Sequence, residues 1–340
     1  MSRLDQLKRD LHLLVHRGNA PALTPQENRG RSATSPHQIP MPGWKDILIR
    51  TWSELSDNNI FLVAGGVTYA VLLALFPGLA ALVSIYGLLL NPSQVETQVD
   101  ELSHILPPES TEVISDQLHK LVSASSGSLS VSAVVALVFA LWSASRGMSG
   151  LVTAFNIAYQ QKETRGFFKL NLVAIVLTVL MLIGGTVTIA LVGVMPAALQ
   201  FIGLESSTKW LLLMLQWPLL IAVVMGGLAV LYRYAPDRHP PHWRWVSPGA
   251  IVATLLWLLG SVAFSVYVSH FNSYDKTYGS LGGVVVMLTW LYLSAFVALL
   301  GAVINAQSER QTEADSTIGG EKPMGTRNAY AADTVGKATS

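Results

Sequence analysis

The sequence has no cysteine and few charged residues. Only 13% of its 340 residues are charged, whereas 51% are hydrophobic. The absence of cysteine excludes disulfide bonds, thiolate metal sites and thiol catalysis. A net charge of +1 provides no strong positive field, so the composition does not indicate a nucleic-acid-binding protein. A mean hydropathy of +0.44 with so few charges predicts an all-α, polytopic membrane protein.

Acidic residues are absent from the longest apolar stretches, which predict six transmembrane helices. About 20 apolar residues are enough to cross the hydrocarbon core of a bilayer. The six predicted spans are approximately residues 60–90, 129–159, 167–195, 210–232, 246–268 and 281–306. In the first span, Pro77 predicts a kink because proline removes a backbone hydrogen-bond donor.

The segments outside the predicted spans are polar. Residues 91–127 carry six acidic residues and one lysine, with apolar residues at helical spacing; they predict a small helical extracytoplasmic insert or a solvated loop. Residues 1–43 and 307–340 predict a disordered tether and a disordered tail. Residues 44–58 predict an amphipathic helix at the membrane interface, or alternatively a packed surface helix. Its predicted apolar face consists of Trp44, Ile47, Leu48, Trp52 and Leu55, and its predicted polar face of Lys45, Asp46, Arg50 and Glu54.

The numbers of lysine and arginine residues alternate between successive polar segments. Segments 1–58, 160–169, 233–245 and 307–340 contain eight, three, three and four of them, and each segment between contains one. By the positive-inside rule, this pattern predicts that both termini are cytoplasmic and that residues 91–127 face outward.

One arginine lies within the second predicted span. Arg146 is the only ionisable side chain between residues 129 and 158. A charge near the centre of a membrane helix costs roughly 2.5–3.5 kcal/mol on insertion scales, so it indicates a functional residue with a partner. Because no Asp or Glu occurs in the six spans, the expected partner is backbone carbonyls, water or an anionic ligand. The alternative is a side chain that extends to the nearer, cytoplasmic interface, although side-chain bonds tilt toward the helix N-terminus, in the other direction.

Small and polar residues share the helical face of Arg146. Ser143, Ser149 and Thr153 lie three or seven residues from Arg146, and Asn156 lies at the border of this face. The predicted substrate-binding residues are Arg146, Ser143, Ser149, Thr153 and Asn156. Tyr69 in the first span is a further candidate for a cavity lining, or else a packed core tyrosine. Pro77, Gly279 and Gly283 are predicted to have structural or gating roles, since glycines four residues apart usually mark close helix packing.

Four sequence blocks between about residues 55 and 310 resemble a known family. They read GGVTYAVLLALFPGLAALVSIYG at 65–87, LWSASRGMSGLVTAFNIAY at 141–159, LYRYAPDR and HWRWVSPGA within 231–250, and YGSLGGVVVMLTWLYLSAFVALLGAVINA at 278–306. Together they are similar to the YihY/BrkB family of bacterial inner-membrane proteins, once misnamed after ribonuclease BN. The resemblance implies a six-span inner-membrane protein that is suspected of transport. This sequence has Val303 where the family often has glutamate, which puts any role for that carboxylate in doubt.

Two functions from different classes are consistent with these patterns. The first is a transporter or flippase-like protein for an anionic or amphiphilic small molecule, recognised by Arg146. The alternative is a non-catalytic scaffold that acts through its acidic insert and cytoplasmic tails. We expect no enzyme activity, metal or cofactor, because His239 and His242 lack further ligands at metal spacing and no catalytic set is recognisable. The expected partners are membrane lipids, with the aromatic and basic residues 232–245 meeting anionic headgroups rather than nucleic acid.

Overall fold

The computed structural model describes residues 29–89, 131–191, 206–270 and 280–339, and Met195 and Leu199 individually. Within these ranges the chain is helical and contains no β-strand, which confirms the predicted all-α class. The helices are α1 Met41–Asp57, α2 Ile60–Leu89, α3 Val131–Ala158, α4 Phe167–Ile189, α5 Ser206–Tyr234, α6 Trp243–His270, α7 Ser280–Glu309 and the single turn α8 Tyr330–Asp333. The predicted insert 91–127 lies outside the described residues, as do residues 1–28.

Five helices are long and apolar enough to cross a membrane. Their apolar stretches are Ile60–Ala81 in α2, Phe167–Thr188 in α4, Ser207–Tyr234 in α5, Trp243–Val268 in α6 and Gly282–Glu309 in α7. Five of the six predicted spans are therefore present in the described part of the chain. α3 is not among these five; it has 28 residues, which gives ~42 Å of helix, and Arg146 lies near its middle. Pro77 lies inside α2, which is one helix, so the kink there stays a prediction.

One end of the bundle is covered by a layer that we call the platform, made of residues 29–58, 159–166, 235–242 and 307–339. α2, α4 and α6 begin at the platform, whereas α3, α5 and α7 end there. α1 packs against α7 and α2, and α8 also contacts α7. A second small cluster joins Ile39 and Ile47 to the buried Trp245 at the start of α6. The N-terminal and C-terminal segments thus meet on the same end of the bundle.

Burial is concentrated in the half of the bundle next to the platform. In α6 the buried residues extend only to Thr254, and in α7 they begin at Ala295. The central apolar cluster includes Val152 and Phe155 of α3 and Leu299 of α7. Toward the opposite end, the described residues of α6 and α7 are exposed or half-buried. The helices therefore pack closely at the platform and much less closely at the other end.

Two glycines allow α6 and α7 to approach closely near the platform. A Cβ atom on Gly301 would lie 2.7 Å from the carbonyl oxygen of Gly249, which no native packing tolerates. Beside this contact, Pro248 interrupts the hydrogen bonding of α6. Asn305 of α7 bonds to the backbone of α6 at this point: its Oδ1 accepts from Gly249 N at 2.7 Å and its Nδ2 donates to Val246 O at 3.1 Å. Asn305 therefore has a packing role here.

The predicted disorder is wrong for residues 29–43 and 307–339. Residues 36–38 form a 3₁₀ turn, and the segment around Ala33 and Ile39 is buried. In the C-terminal segment, Arg327 donates to the carbonyl oxygens of Lys322, Ala332, Glu313 and Ala314. These segments bury little apolar surface, so composition suggested disorder; they are ordered by hydrogen bonds from arginine to backbone carbonyls.

The predicted faces of α1 are also partly wrong. The buried side includes Ile47 and Leu55, as expected, but also Asp46 and Arg50. Trp52 and Leu48, placed on the apolar face, are 72% and 59% exposed. Asp46 accepts hydrogen bonds from Arg29 and Thr339, which shows that the buried side faces polar groups of the terminal segments. The exposed Trp52 and Leu48 still give α1 an apolar surface.

Candidate functional site

A second close contact between two long helices lies between α2 and α3. Gly147 and Gly150 of α3 face Ala70 and Ala74 of α2; a Cβ atom on Gly147 would lie 2.5 Å from that of Ala74. Small residues at this spacing let two helix backbones approach closely. The contact fixes the position of Arg146, which is adjacent to Gly147 and close to the line along which the helices meet.

A groove of about 310 Å³ lies beside this contact, and we call it the Arg146 groove. It is lined by Tyr69, Ala70, Leu73, Ala74 and Pro77 of α2 and by Trp142, Ser143 and Arg146 of α3. Tyr69 is 64% exposed and Leu73 58% exposed, so the groove opens to the side of the described bundle. The structure thus brings together four of the residues selected from the sequence: Arg146, Ser143, Tyr69 and Pro77.

The guanidinium of Arg146 lies over the ring of Trp142, 4.5 Å from its centroid. Trp142 is one turn nearer the helix N-terminus, so the side chain extends away from the platform, as the tilt of side-chain bonds predicts. Among the described residues, Arg146 has no ion-pair or hydrogen-bond partner, and its side chain is exposed. A cation–π contact leaves the five N–H donors of the guanidinium free, so they remain available to a ligand.

The apolar face of α3 packs into the protein, whereas the face of Arg146 borders the groove. Met148, Val152 and Phe155 are buried in the central cluster. The described residues place Arg146 in an open groove between two helices.

The other predicted residues on the Arg146 face have different surroundings. The hydroxyl of Ser149 donates to Ser145 O and that of Thr153 to Ser149 O, both at 3.0 Å. Asn156 is buried near the platform, ten residues and so ~15 Å along the helix from Arg146. Gly283 has no described atom within 4 Å of an added Cβ, so close packing at this glycine stays a prediction. Gly279 lies outside the described residues.

Asn156 belongs to a polar cluster that joins two loops of the platform. Its Nδ2 donates to Glu163 at 2.7 Å, and its Oδ1 accepts from Asp237 N at 2.8 Å. The pKa of Glu163 is lowered mainly by the hydrogen bond from Arg165. Burial raises the pKa of Asp237, but hydrogen bonds from Thr164 outweigh it and leave that pKa lowered. Both carboxylates therefore stay charged in a structural cluster.

The largest polar feature that sequence reasoning missed is a buried ion pair in the platform. Arg238 donates to both oxygens of Glu309, at 3.0 and 2.6 Å, and both side chains are fully buried. Burial lowers the pKa of Arg238, but the charge of Glu309 outweighs it, so the pKa is raised. The buried Tyr159 ring lies 5.0 Å from this guanidinium. The sequence contained a hint, because Glu309 lies only three residues beyond the last predicted span.

The described residues contain no group of three His, Asp or Glu side chains that could hold a metal ion. The chemistry of the Arg146 groove is that of one cation, one hydroxyl, one phenol and an apolar wall. Such a set can bind a negative group and an adjoining apolar group.

Five apolar helices and a lateral groove define a multi-pass α-helical membrane protein. The family described as Virulence factor BrkB matches residues 51–325, so the chain belongs to the BrkB family. The family resemblance seen in the sequence is thereby confirmed.

Two relatives illustrate the range of the family. The chain is 32% identical to YfkH of Bacillus subtilis (strain 168), a protein named as ribonuclease-like, over 70% of this chain and 86% of that protein. It is 27% identical to a UPF0761 membrane protein of Tolumonas auensis, over 80% of this chain and 88% of that protein. No solved structure is significantly similar to the chain.

Proposed function

We propose that this protein is an inner-membrane transporter or flippase-like protein for an anionic or amphiphilic small molecule, with Arg146 binding the negative group. One observation carries the proposal. Arg146 is exposed in a groove of about 310 Å³ and has no acidic partner among the described residues. A cation at membrane depth is costly, so an unpaired one is best explained by a ligand that neutralises it.

The groove's composition favours an amphiphile over a small inorganic anion. Leu73, Ala74 and Pro77 provide apolar surface beside the guanidinium, while Tyr69 and Ser143 provide hydroxyl groups. Because the groove opens between α2 and α3 at the side of the bundle, a molecule could enter it from the bilayer. A phosphate or carboxylate would meet the planar donor fork, and an apolar chain would contact α2.

We also propose the topology in which this function would operate. In this topology α3 also crosses the membrane, which brings the number of spans to six. Its exposed residues Val135, Val138 and Phe139 are apolar, as expected for side chains in contact with lipid. The platform is cytoplasmic, as the lysine and arginine count of its segments favours. Arg146 is ~18 Å along α3 from the platform, which places it near the middle of the bilayer.

The alternative scaffold function receives less support from the terminal segments. Residues 307–339 pack on the bundle and engage their polar groups there, for example through Arg327. They are therefore poorly suited to bind partner proteins as flexible tails. We further propose that the protein is not an enzyme, because the groove holds a single charged group and no acid–base pair.

The test is binding and flipping of a fluorescent phosphatidic acid by the purified protein in liposomes. We expect Arg146→Gln to weaken binding by at least ~10-fold, the value of a charge-assisted hydrogen bond, and Arg146→Lys to weaken it less. Lys209→Gln removes a positive charge from α5, far from the groove, and is the matched control. Unchanged binding and flipping in Arg146→Gln would refute the proposal.

A further inference from the structure

A second arginine without an acidic partner lies at the platform end of α5. The Nη1 atom of Arg233 donates to Pro241 O at 2.6 Å. Its guanidinium lies 4.5 Å from the ring centroid of Trp243 and 5.5 Å from that of Tyr234. Its Nε atom is buried without a hydrogen-bond partner among the described residues. The Nη1 atom of this guanidinium is therefore hydrogen-bonded, whereas the Nε atom has no acceptor among the described residues.

The acidic residues of the neighbouring loop do not neutralise Arg233. Asp237 accepts hydrogen bonds from Thr164 and lies 3.7 Å from Arg165. Glu309 forms the buried pair with Arg238. Arg244, at the start of α6, is exposed and has no ion pair within the described ranges. Two uncompensated arginines thus flank Trp243.

The position of Arg233 is fixed by the C-terminal segment. Pro241, which anchors its guanidinium, forms an antiparallel bridge with Thr317. The adjacent Pro240 accepts a hydrogen bond from Ile318 N at 3.0 Å. An arginine held in this way loses little further conformational entropy when it binds an anion. The positive end of the α6 dipole begins at Trp243 and adds to the attraction of an anion.

An exposed stripe runs from this site along α6. Trp243, Ser247, Ile251 and Leu255 are spaced four residues apart on one side of the helix, and all are exposed. Ile251 and Leu255 are 46% and 54% exposed, whereas Ala250 and Ala253 between them are buried. Beyond Ser247 the stripe is apolar, and it leads from the two arginines along a membrane-spanning helix. Tyr234 and Trp243, each nearly half exposed, lie where aromatic residues meet the membrane interface.

We infer that the ends of α5 and α6 form a binding site for an anionic phospholipid, with the phosphodiester at Arg233, Arg244 and Trp243 and one acyl chain along Ile251 and Leu255. A free phosphate would engage the arginines but would gain nothing from the apolar stripe. The combination of two cations with the exposed apolar side chains of Trp243, Ile251 and Leu255 therefore favours a lipid. This site lies at the platform, separate from the Arg146 groove, and does not depend on the proposed transport.

The test measures retention of phosphatidylglycerol by the full-length protein in detergent, by native mass spectrometry. Phosphatidylcholine serves as the zwitterionic comparison and inorganic phosphate as the headgroup without a chain. We expect Arg233→Gln to weaken phosphatidylglycerol binding about 10-fold and Arg244→Gln somewhat less, because each removes a charge-assisted contact. Lys209→Gln, at the other end of α5, is the charge-matched control and should leave retention unchanged.

Arg233→Gln also loses the bond to Pro241, so its fold is checked by gel filtration and helix content. Arg244→Gln changes only an exposed side chain and keeps the test decisive if the first variant unfolds. A parallel variant, Leu255→Gln, should reduce retention of phosphatidylglycerol because it places an amide in the acyl-chain path. Wild-type retention in folded Arg244→Gln, or full displacement of the lipid by millimolar phosphate, would overturn the inference.

Discussion

The two ends of the bundle differ in how they are held together. At the platform, α6 and α7 meet through Gly249 and Gly301, and every ion pair among the described residues lies in this layer. Toward the opposite end, no described atom lies within 4 Å of a Cβ added to Gly283, and large apolar side chains such as Leu259 are exposed. Within the described part of the chain, one end is fixed by close backbone contacts and ion pairs, while the other exposes large apolar side chains.

This difference indicates how a membrane helix bundle can keep a rigid packed end and still leave a groove open to a ligand. Lipid tails are as apolar as leucine, so exposed apolar side chains cost little in the bilayer, and tight packing is needed only where shape must be kept. The Arg146 groove lies between these two regions. Its platform side rests on the packed cluster of Val152 and Phe155, whereas its other side continues into the loosely packed half.

The largest effect is expected from breaking the buried ion pair of the platform. Glu309→Gln leaves the Arg238 charge buried without a counter-ion, which costs roughly 3–5 kcal/mol of unfolding free energy. Thermal or detergent unfolding of the purified protein measures it. The double variant Arg238→Met with Glu309→Met removes both charges and should recover most of the stability; equal losses in both variants would show that the charges are unimportant.

A glycine pair within α7 tests the packing difference directly. Gly301→Ala forces the α6 and α7 backbones apart and should destabilise the protein by roughly 1–3 kcal/mol, as overpacking of cores does. Gly283→Ala adds a methyl group in open space on the same helix, so it should be neutral or slightly stabilising. Unfolding midpoints of the two variants measure this contrast. Equal effects would mean that the two ends are packed alike.

Single cysteines can sharpen the comparison of access, because the natural chain has none. Ser143→Cys, in the Arg146 groove, should react readily with a small, membrane-permeant maleimide in intact cells. Ala302→Cys, in the packed half, should react at least ~10-fold more slowly until the protein is unfolded, since buried groups react through opening. Equal labelling rates of the two cysteines in the folded protein would show that the groove is closed.

The smallest effect on stability is expected from lowering the pH, through protonation of Asp46. Burial raises the pKa of Asp46, but hydrogen bonds from Arg29 and Thr339 outweigh it and leave the pKa below its ordinary value of 3.8. Asp46 therefore stabilises the platform above that pH, and the contribution is lost as the pH falls through the lowered pKa. The unfolding temperature should fall less on acidification in Asp46→Asn than in the wild type. Identical acid profiles would show that Asp46 carries no such linkage.

The sequence predicted the helices and the central residue of the site, because both depend on local patterns. Apolar runs located α2 and α4 to α7, and the lone charge of Arg146 indicated the groove that Tyr69 and Ser143 share. Asn156 shows where such reasoning fails. A helical wheel compares angles but ignores the ~15 Å of helix between two residues.

The platform could not be predicted, because its contacts join residues distant in the sequence. Arg50 lies on the polar face of a short helix, yet it bonds to Gln307 and Gln311 and to Lys337 O. Its burial lowers its pKa to about 10, although nothing near it in sequence indicates burial. Composition describes how much apolar surface a segment can bury, but it cannot reveal which carbonyls a distant arginine will reach.

The bond between Asp46 and Thr339 has a consequence for biosynthesis. The two residues are 293 positions apart, so the platform can close only after the helices between them have entered the membrane. Contacts of such long range form late and slowly, because a large loop must first be ordered. A protease that cleaves an unpacked C-terminal segment would therefore degrade incompletely inserted chains but not fully folded ones.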